Sequence, residues 1–140
     1  MNAYLETNYR VHGNLDPSAG PYSFTLKIGQ PSAALVIAMR STKTHCAAFL
    51  SASNPMDEML HMESNIQRAQ TLMSDLRKRG LFFIPGSGQH PTSGRAPEPS
   101  MLALGADLRL AVILGTAYRQ RAIVWCGADA VPQLHMLAQR

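Results

Sequence analysis

The sequence predicts an α+β or α/β fold in which one mixed β-sheet of five to seven strands packs with three helices. Apolar residues make up 46% of the 140 residues and charged residues only 16%, which is the composition of a packed globule. Short apolar runs of strand length alternate along the chain with segments of helical periodicity. The length fits a single domain over residues 1–140.

The first half of the chain predicts two strands, a short helix and a buried strand. Residues 9–12 are expected to form a short strand before a turn-rich loop. Phe24–Ile28 alternates apolar and polar side chains, which predicts a half-exposed strand near a sheet edge. Pro31 suits the first position of a helix that ends near Ser41. The apolar run His45–Ser53 predicts an interior strand covered on both faces.

The clearest element is a long helix over about residues 55–79. Asn54 is its expected N-cap, Pro55 occupies the first position, and Arg77–Arg79 precede Gly80 at its end. The apolar positions follow a heptad spacing: Met59, Met62, Ile66, Ala69, Met73 and Leu76. We expect this seam to pack on the sheet and the protein to be a monomer, with a dimer through residues 59–76 as the alternative.

The second half predicts a buried strand at Leu81–Ile84 and then a long loop rich in Pro and Gly over residues 85–100. A strand over residues 101–104, a helix ending near Tyr118 and a central strand at Ala122–Cys126 follow. Pro132 places the last strand at an edge or a bulge. The β-α-β steps favour parallel crossovers, whereas the turn at residues 127–129 favours an antiparallel return.

Several classes of protein are disfavoured by the pattern of apolar and charged residues. The apolar runs are far shorter than the roughly 20 residues that cross a bilayer, and the N-terminus lacks a basic-then-apolar signal. We therefore expect a cytoplasmic protein without a membrane span. Cys46 and Cys126 lie in apolar runs, where reduced cysteines behave as small hydrophobic residues. The net charge of +4 comes from scattered basic residues and selects no partner.

Four short motifs occur in order along nearly the whole chain: IGQPS (28–32), SASNP (51–55), PEPS (97–100) and QRAIVW (120–125). By this set the chain resembles a family of small bacterial proteins of unknown function. The resemblance implies a bacterial, single-domain protein and carries no assigned activity. The family more often has F-G-Q-N-A where this chain has Tyr118–Ala122, so the resemblance assigns no role to Gln120.

The long loop holds the candidate chemistry. Gly86 and Gly88 follow a strand, where bare backbone N–H groups are able to bind an anion, although neither a P-loop nor a dinucleotide fingerprint is complete; the alternative is a flexible turn. His90 and Glu98 are the candidate catalytic residues, and Arg95 is a candidate anion clamp. Glu98 is also explained by a structural salt bridge to an arginine.

Metal, cofactor and nucleic-acid sites are not expected. His61 and Glu58 would share one helix face, but neighbouring methionines mark that turn as partly core, and the other histidines are far apart in sequence. Arg77–Arg79 with Arg119 and Arg121 would form a basic patch, yet a recognition-helix motif and an exposed aromatic ladder are both missing.

We therefore expect a non-enzymatic binding or interaction domain rather than an enzyme, with an unidentified protein or a small anionic ligand as its partner. Its surface would combine the 85–100 loop with the turns at Asn54-Pro55 and Gly29–Pro31. The expected ligand-binding residues are Gln30, Asn54, Gly86, Gly88, Arg95 and Glu98. An enzyme acting on a small anionic metabolite is the first alternative, and it requires His90, Arg95 and Glu98 to converge on one pocket. A nucleic-acid-binding protein is the second.

Overall fold

The computed structural model describes residues 2–13, 23–89, 94 and 96–138, and within them it contains one curled β-sheet of seven strands and four α-helices. The strands are β1 Asn8–Val11, β2 Phe24–Leu26, β3 Ala47–Ser51, β4 Phe82–Gln89, β5 Glu98–Leu104, β6 Ala122–Cys126 and β7 Pro132–Met136. The helices are α1 Asn2–Glu6, α2 Ala33–Ser41, α3 Met62–Lys78 and α4 Leu108–Ala117. None of these helices is long and apolar enough to cross a membrane.

The strand order is β2-β1-β4-β5-β3-β6-β7, and every pair in it is antiparallel. The α+β class and the strand number are confirmed, but the prediction of a sheet with parallel neighbours is wrong. The strands β3 and β4, joined by α3, do run in the same direction, because both are antiparallel to β5, which lies between them. The strand β3 separates β5 from β6 in the same way. The crossovers therefore exist, but each one spans an intervening strand.

The predicted edge positions of β2 and β7 are confirmed, and the two edges come together as the sheet curls. Gly29 follows β2, and its N–H donates to the carbonyl of Pro132 at the start of β7 (2.8 Å). Gly29 has a φ of +83°, a conformation that favours glycine. The helix α2 follows this junction, and Ser32 caps it by accepting from the Leu35 N–H.

Each face of the sheet carries its own apolar core. The α2 helix packs Leu35, Ala38 and Met39 against one face, in a cluster that includes Leu102 and Cys126. The other face packs against both α3 and α4, through a cluster that includes Leu72, Leu76, Leu114, Met101 and Ala103. We refer to these as the α2 face and the α3/α4 face.

The long helix begins later than the sequence predicts. Pro55–Asp57 form a single 3-10 turn, residues 58–61 are not helical, and α3 begins at Met62. Asn54 and Met56 have left-handed φ values of 46° and 52°, which break the helix there. The buried residues of α3 are Asn65, Ala69, Leu72 and Leu76, so Ala69 and Leu76 of the heptad seam lie in this chain's own core, while Met59, Met62 and Ile66 are exposed.

The predicted loop over residues 85–100 is largely a β-hairpin. The strand β4 extends to Gln89 and β5 begins at Glu98, so both ends of the predicted loop belong to the sheet. Phe82, predicted to be buried, is 58% exposed, because side chains alternate along β4 at its uncovered end. The additional helix α1 precedes β1 and was not expected from the sequence.

Candidate functional site

A cleft of about 700 Å³ opens on the α2 face, beside the part of the sheet that the helix covers. Its volume lies within the range of about 300–1,000 Å³ that is typical of small-molecule pockets. The strands contribute Tyr9, Phe49, Ser51, Gly88, Glu98, Ser100, Val124 and Leu134 to its lining, and the loops contribute Ser53, Asn54, Met59, Gln120 and Arg121. The cleft is therefore built from both ends of the chain and from the middle.

Two glycines of β4 lie at the cleft and next to it: Gly88 lines the cleft, and Gly86 lies beneath the Phe49 ring. A Cβ on Gly86 would lie 2.3 Å from the Arg10 carbonyl oxygen and 3.2 Å from the Phe49 ring, whereas a Cβ on Gly88 would meet nothing nearer than 3.9 Å. Tyr9 and Phe49 pack edge to face, with their centroids 5.4 Å apart. Gly86 and Gly88 thus lie inside β4, paired on both sides, and not in the loop predicted for them.

Glu98 enters the cleft at the first position of β5, and a buried pair of asparagines holds its carboxylate. Asn54 Nδ2 donates to Glu98 Oε1 (2.8 Å). Asn54 Oδ1 accepts from Asn65 Nδ2 and from the Leu60 N–H, both at 2.9 Å. Asn65 Oδ1 in turn accepts from the Asn54 N–H (2.9 Å). The carboxylate is therefore fixed by a network that reaches into α3.

Asn54 has a different role from the helix cap that the sequence predicts. It precedes the 3-10 turn, and its side chain makes no capping bond there. Its left-handed backbone is one that asparagine adopts more readily than most residues. In this conformation the Asn54 backbone N–H and Nδ2 donate to Asn65 and Glu98, and Oδ1 accepts from Asn65 and Leu60.

The rim of the cleft is a loop tied to the segment before β6. The Met56 N–H donates to the Arg119 carbonyl (2.7 Å), and Arg119 also has a left-handed φ of 59°. Gln120 Nε2 donates to the carbonyls of Ser53 (3.0 Å) and Tyr118 (3.1 Å). Arg121 Nη2 lies 3.5 Å from the Met56 carbonyl. These bonds hold residues 53–57 against residues 118–121.

Tyr9 contributes a neutral phenol to the cleft. Burial raises the pKa of Tyr9 well above its ordinary value, a side-chain hydrogen bond with Thr7 offsets part of this rise, and electrostatic repulsion from Tyr4 and Glu98 adds to it. The hydroxyl donates to the Tyr4 carbonyl (3.1 Å). Glu98 and Arg121 are the charged side chains that the described residues bring to the cleft.

The comparison with protein families identifies the chain. Residues 50–123, more than half of it, match the model of a family described as protein of unknown function (DUF3293). The chain belongs to the DUF3293 family. A search of the curated proteins found no match, and a search of the solved structures found none either. The expected membership of a family of unknown function is thus confirmed, and the DUF3293 match includes Asn54, Asn65, Glu98, Ser100 and Gln120.

The structure brings some of the predicted site residues of this DUF3293 protein together. Asn54, Gly88 and Glu98 line the cleft, and Gly86 lies beneath the Phe49 ring. Gln30 lies elsewhere, exposed in the turn before α2. His90 and Arg95 lie outside the described residues. Their convergence with Glu98, which the enzyme alternative requires, therefore stays a prediction.

Several cleft residues were missed by sequence reasoning. Phe49 and Ser51 lie in a run assigned wholly to the core, although Ser51 is the first polar residue after the apolar stretch Cys46–Leu50. Glu98 and Ser100 alternate along β5, which would have placed both on one face had residues 98–100 been recognised as strand. Gln120 opens the QRAIVW motif, and that is the signal pointing to it.

The two residues considered for a metal site do not share a helix face, and two of the clustered cations have partners within the chain. Glu58 and His61 precede α3 and do not share a helix face, and the described residues contain no group of three or more metal-ligating side chains. Arg79 pairs with Asp75 (2.9 Å), and the Arg77 guanidinium lies over the Phe83 ring (5.4 Å). Two of the three clustered cations thus have partners within this chain.

Proposed function

We propose that this DUF3293 protein is a non-enzymatic binding domain that takes a small organic molecule into the cleft on the α2 face. The observation that carries the proposal is the Glu98 carboxylate, held at the cleft wall by the buried Asn54–Asn65 pair. Ligand pockets typically combine an apolar lining with a few fixed polar groups. Here the Tyr9 and Phe49 rings supply the apolar part.

The residues around Glu98 adopt unfavourable backbone conformations and bury polar groups, and both features support a role in recognition. Left-handed conformations at non-glycine residues cost free energy and concentrate at functional sites. Three of them, at Asn54, Met56 and Arg119, occur in the two segments that form the rim. A buried asparagine pair is likewise tolerated only when its hydrogen bonds are satisfied. An apolar core alone would need neither feature.

Binding is favoured over catalysis by the residue types that line the cleft. The described residues bring a single carboxylate to it, and they bring neither a histidine nor a cysteine. Acid–base or nucleophilic catalysis commonly uses such groups in pairs within hydrogen-bond reach of each other. The enzyme alternative therefore depends on His90 or Arg95, outside the described residues.

The location proposed for the protein is the bacterial cytoplasm. The two cysteines support it, because Cys46 and Cys126 are free and not joined in a disulfide. Fractionation of a bacterium that expresses the natural chain tests the location, and recovery in the periplasm would contradict it.

The binding proposal is tested by closing the cleft. The G88V variant places a β-branched side chain into the cleft, at a strand position with room for its Cβ and with no left-handed φ. The S87V variant is the matched control, because the neighbouring residue of β4 points to the opposite face. Both variants and the natural chain are screened by ligand-observed NMR and thermal shift against a set of polar metabolites.

We expect at least one metabolite to bind the natural chain and S87V but not G88V. A ligand at one hundred times its Kd adds about 2.7 kcal/mol of stability, which amounts to several degrees of Tm. Binding that G88V leaves unchanged would place the site elsewhere. A screen without any binder would contradict the proposal.

A further inference from the structure

Five polar side chains of the cleft donate their hydrogens to carbonyl groups of the protein. Ser51 and Ser53 Oγ both donate to the Pro99 carbonyl, at 3.3 and 3.4 Å, and Ser100 Oγ donates to the Glu98 carbonyl (3.0 Å). The Tyr9 hydroxyl donates to the Tyr4 carbonyl, and Gln120 Nε2 donates to two carbonyls. Two of their oxygens also make one further bond each: Ser51 Oγ accepts from the Ser53 N–H (3.0 Å), and the Tyr9 oxygen bonds the Thr7 side chain. What these five side chains retain for a ligand is therefore acceptor capacity on their oxygens, and not their hydrogens.

The Glu98 carboxylate gives this acceptor surface a negative charge. An ionised carboxylate only accepts hydrogen bonds and has about four lone-pair directions on its two oxygens. Asn54 Nδ2 uses one of them at Oε1. Because Asn54 is itself held by Asn65 and Leu60, the carboxylate is oriented before a ligand arrives.

The aromatic rings beside the carboxylate also favour a cation. The faces of Tyr and Phe rings carry negative partial charge and attract ammonium or guanidinium groups. Tyr9 and Phe49 both line the cleft, and the cross-strand register places Tyr9, Gly88 and Glu98 opposite one another on adjacent strands. The bare Gly88 lies between the ring and the carboxylate, so a flat ligand body meets no Cβ there.

We infer that the ligand is an organic cation, a primary amine or a related donor-rich group on a flat apolar body, whose charged end binds Glu98 and whose body lies against Tyr9 and Phe49. The inference deepens the proposed function and rests on it. It differs from the small anionic ligand, which the sequence analysis named beside an unidentified protein as the expected partner. Among the described residues that line the cleft, Arg121 is the cation that would attract an anion, and it lies exposed at the rim, with Nη2 3.5 Å from the Met56 carbonyl.

The test uses three probes that share one ring and differ in charge: phenethylamine, 2-phenylethanol and phenylacetate. Their Kd values are measured by amide chemical-shift titration of the whole chain at neutral pH. We expect the amine to bind most tightly and the carboxylate most weakly, with the shifted amides lining the cleft. Ligand-induced shifts should be lost in G88V.

The charge is tested with the E98Q variant, with E63Q as the control. The amide oxygen of E98Q still accepts the bond from Asn54, so the fold is kept. The E63Q variant changes the net charge by the same amount at an exposed position of α3, away from the cleft. We expect E98Q to weaken phenethylamine binding by about tenfold or more, since charge-assisted bonds are roughly twice as strong as neutral ones. Binding of 2-phenylethanol should change less than threefold, and E63Q should change neither. E98D, which keeps the charge, should retain part of the preference for the amine.

The outcomes separate the two proposals. Tightest binding by phenylacetate, abolished in G88V, would overturn the cation inference and leave the binding function intact. Equal binding of the amine to E98Q and to the natural chain would overturn the inference as well. Failure of all three probes, together with a screen that yields no binder, would overturn both proposals.

Discussion

The two faces of the sheet differ in how completely helices cover them. On the α3/α4 face, α3 and α4 bury an almost entirely apolar surface. On the α2 face, one helix of nine residues covers part of the sheet, and the uncovered part is the cleft. The same strands serve both faces, because alternate side chains of a strand point in opposite directions. The proposed site thus lies where helical cover ends.

The strand β5 shows the boundary within one element. On the α2 face its side chains change from Glu98 and Ser100 in the cleft to Leu102 and Leu104 under the helix. On the opposite face, Met101 and Ala103 are buried under the helices. Polar residues are thus confined to the stretch of one face where a ligand, and not a helix, would cover them.

The largest expected difference between the faces is the cost of truncating a leucine. Leu72 is 1% exposed between α3 and the sheet, so L72A leaves a closed cavity and should lower the free energy of unfolding by about 3 kcal/mol. Leu134 lines the cleft, so L134A enlarges a space that is already open and should cost about 1 kcal/mol. Urea denaturation measures both. Equal costs would mean that the cleft is as tightly packed as the core.

The part of the α2 face that the helix covers should exclude water as completely as the other face does, and the titration of Cys126 tests this. Burial raises the pKa of its thiol from the ordinary 9 to about 12, with Asp129 adding to the effect. The folded state therefore holds this proton more tightly than the unfolded state, so the stabilisation is complete below pH 9 and is lost as the pH rises toward 12.

We expect the natural chain to lose roughly 2–3 kcal/mol more stability between pH 8 and pH 11 than the C126A variant. Denaturation in urea at each pH, with a reductant present, measures the difference. Tyr9 is retained in both chains, so its own titration is shared. Parallel pH profiles would show that water reaches Cys126 in the folded state.

The smallest expected effect distinguishes Gly88, which lines the cleft, from Gly86, which lies beneath the Phe49 ring. G86A should lower the free energy of unfolding by about 2 kcal/mol, because its Cβ would collide with the Arg10 backbone. G88A should change it by less than about 0.5 kcal/mol, since only ordinary contacts surround that Cβ. Thermal melts of the two variants suffice. A destabilised G88A would mean that a Cβ at residue 88 also meets close neighbours.

Much of the fold followed from local patterns. The alternation of Phe24–Leu26 and the proline at residue 132 placed both edge strands correctly, and the apolar run at Ala47–Ser51 indicated a strand buried between neighbours. The start of α3 did not follow, because Asn54, Pro55 and two acidic residues imitate a helix terminus. The hydrogen bonds of Asn54 to Asn65 and Glu98 hold a left-handed turn there instead.

The sequence by itself determined the α+β class, the approximate positions of most strands and helices, and the choice of Asn54, Gly88 and Glu98 as binding candidates, because periodicity and turn chemistry act over a few residues. Only the tertiary structure decided that β5 lies between β3 and β4, that the predicted loop is a hairpin, and that Tyr9, Phe49 and Gln120 meet Glu98 in one cleft. The physical reason is that strand pairing joins residues far apart in the chain, and no local pattern encodes which strands become neighbours.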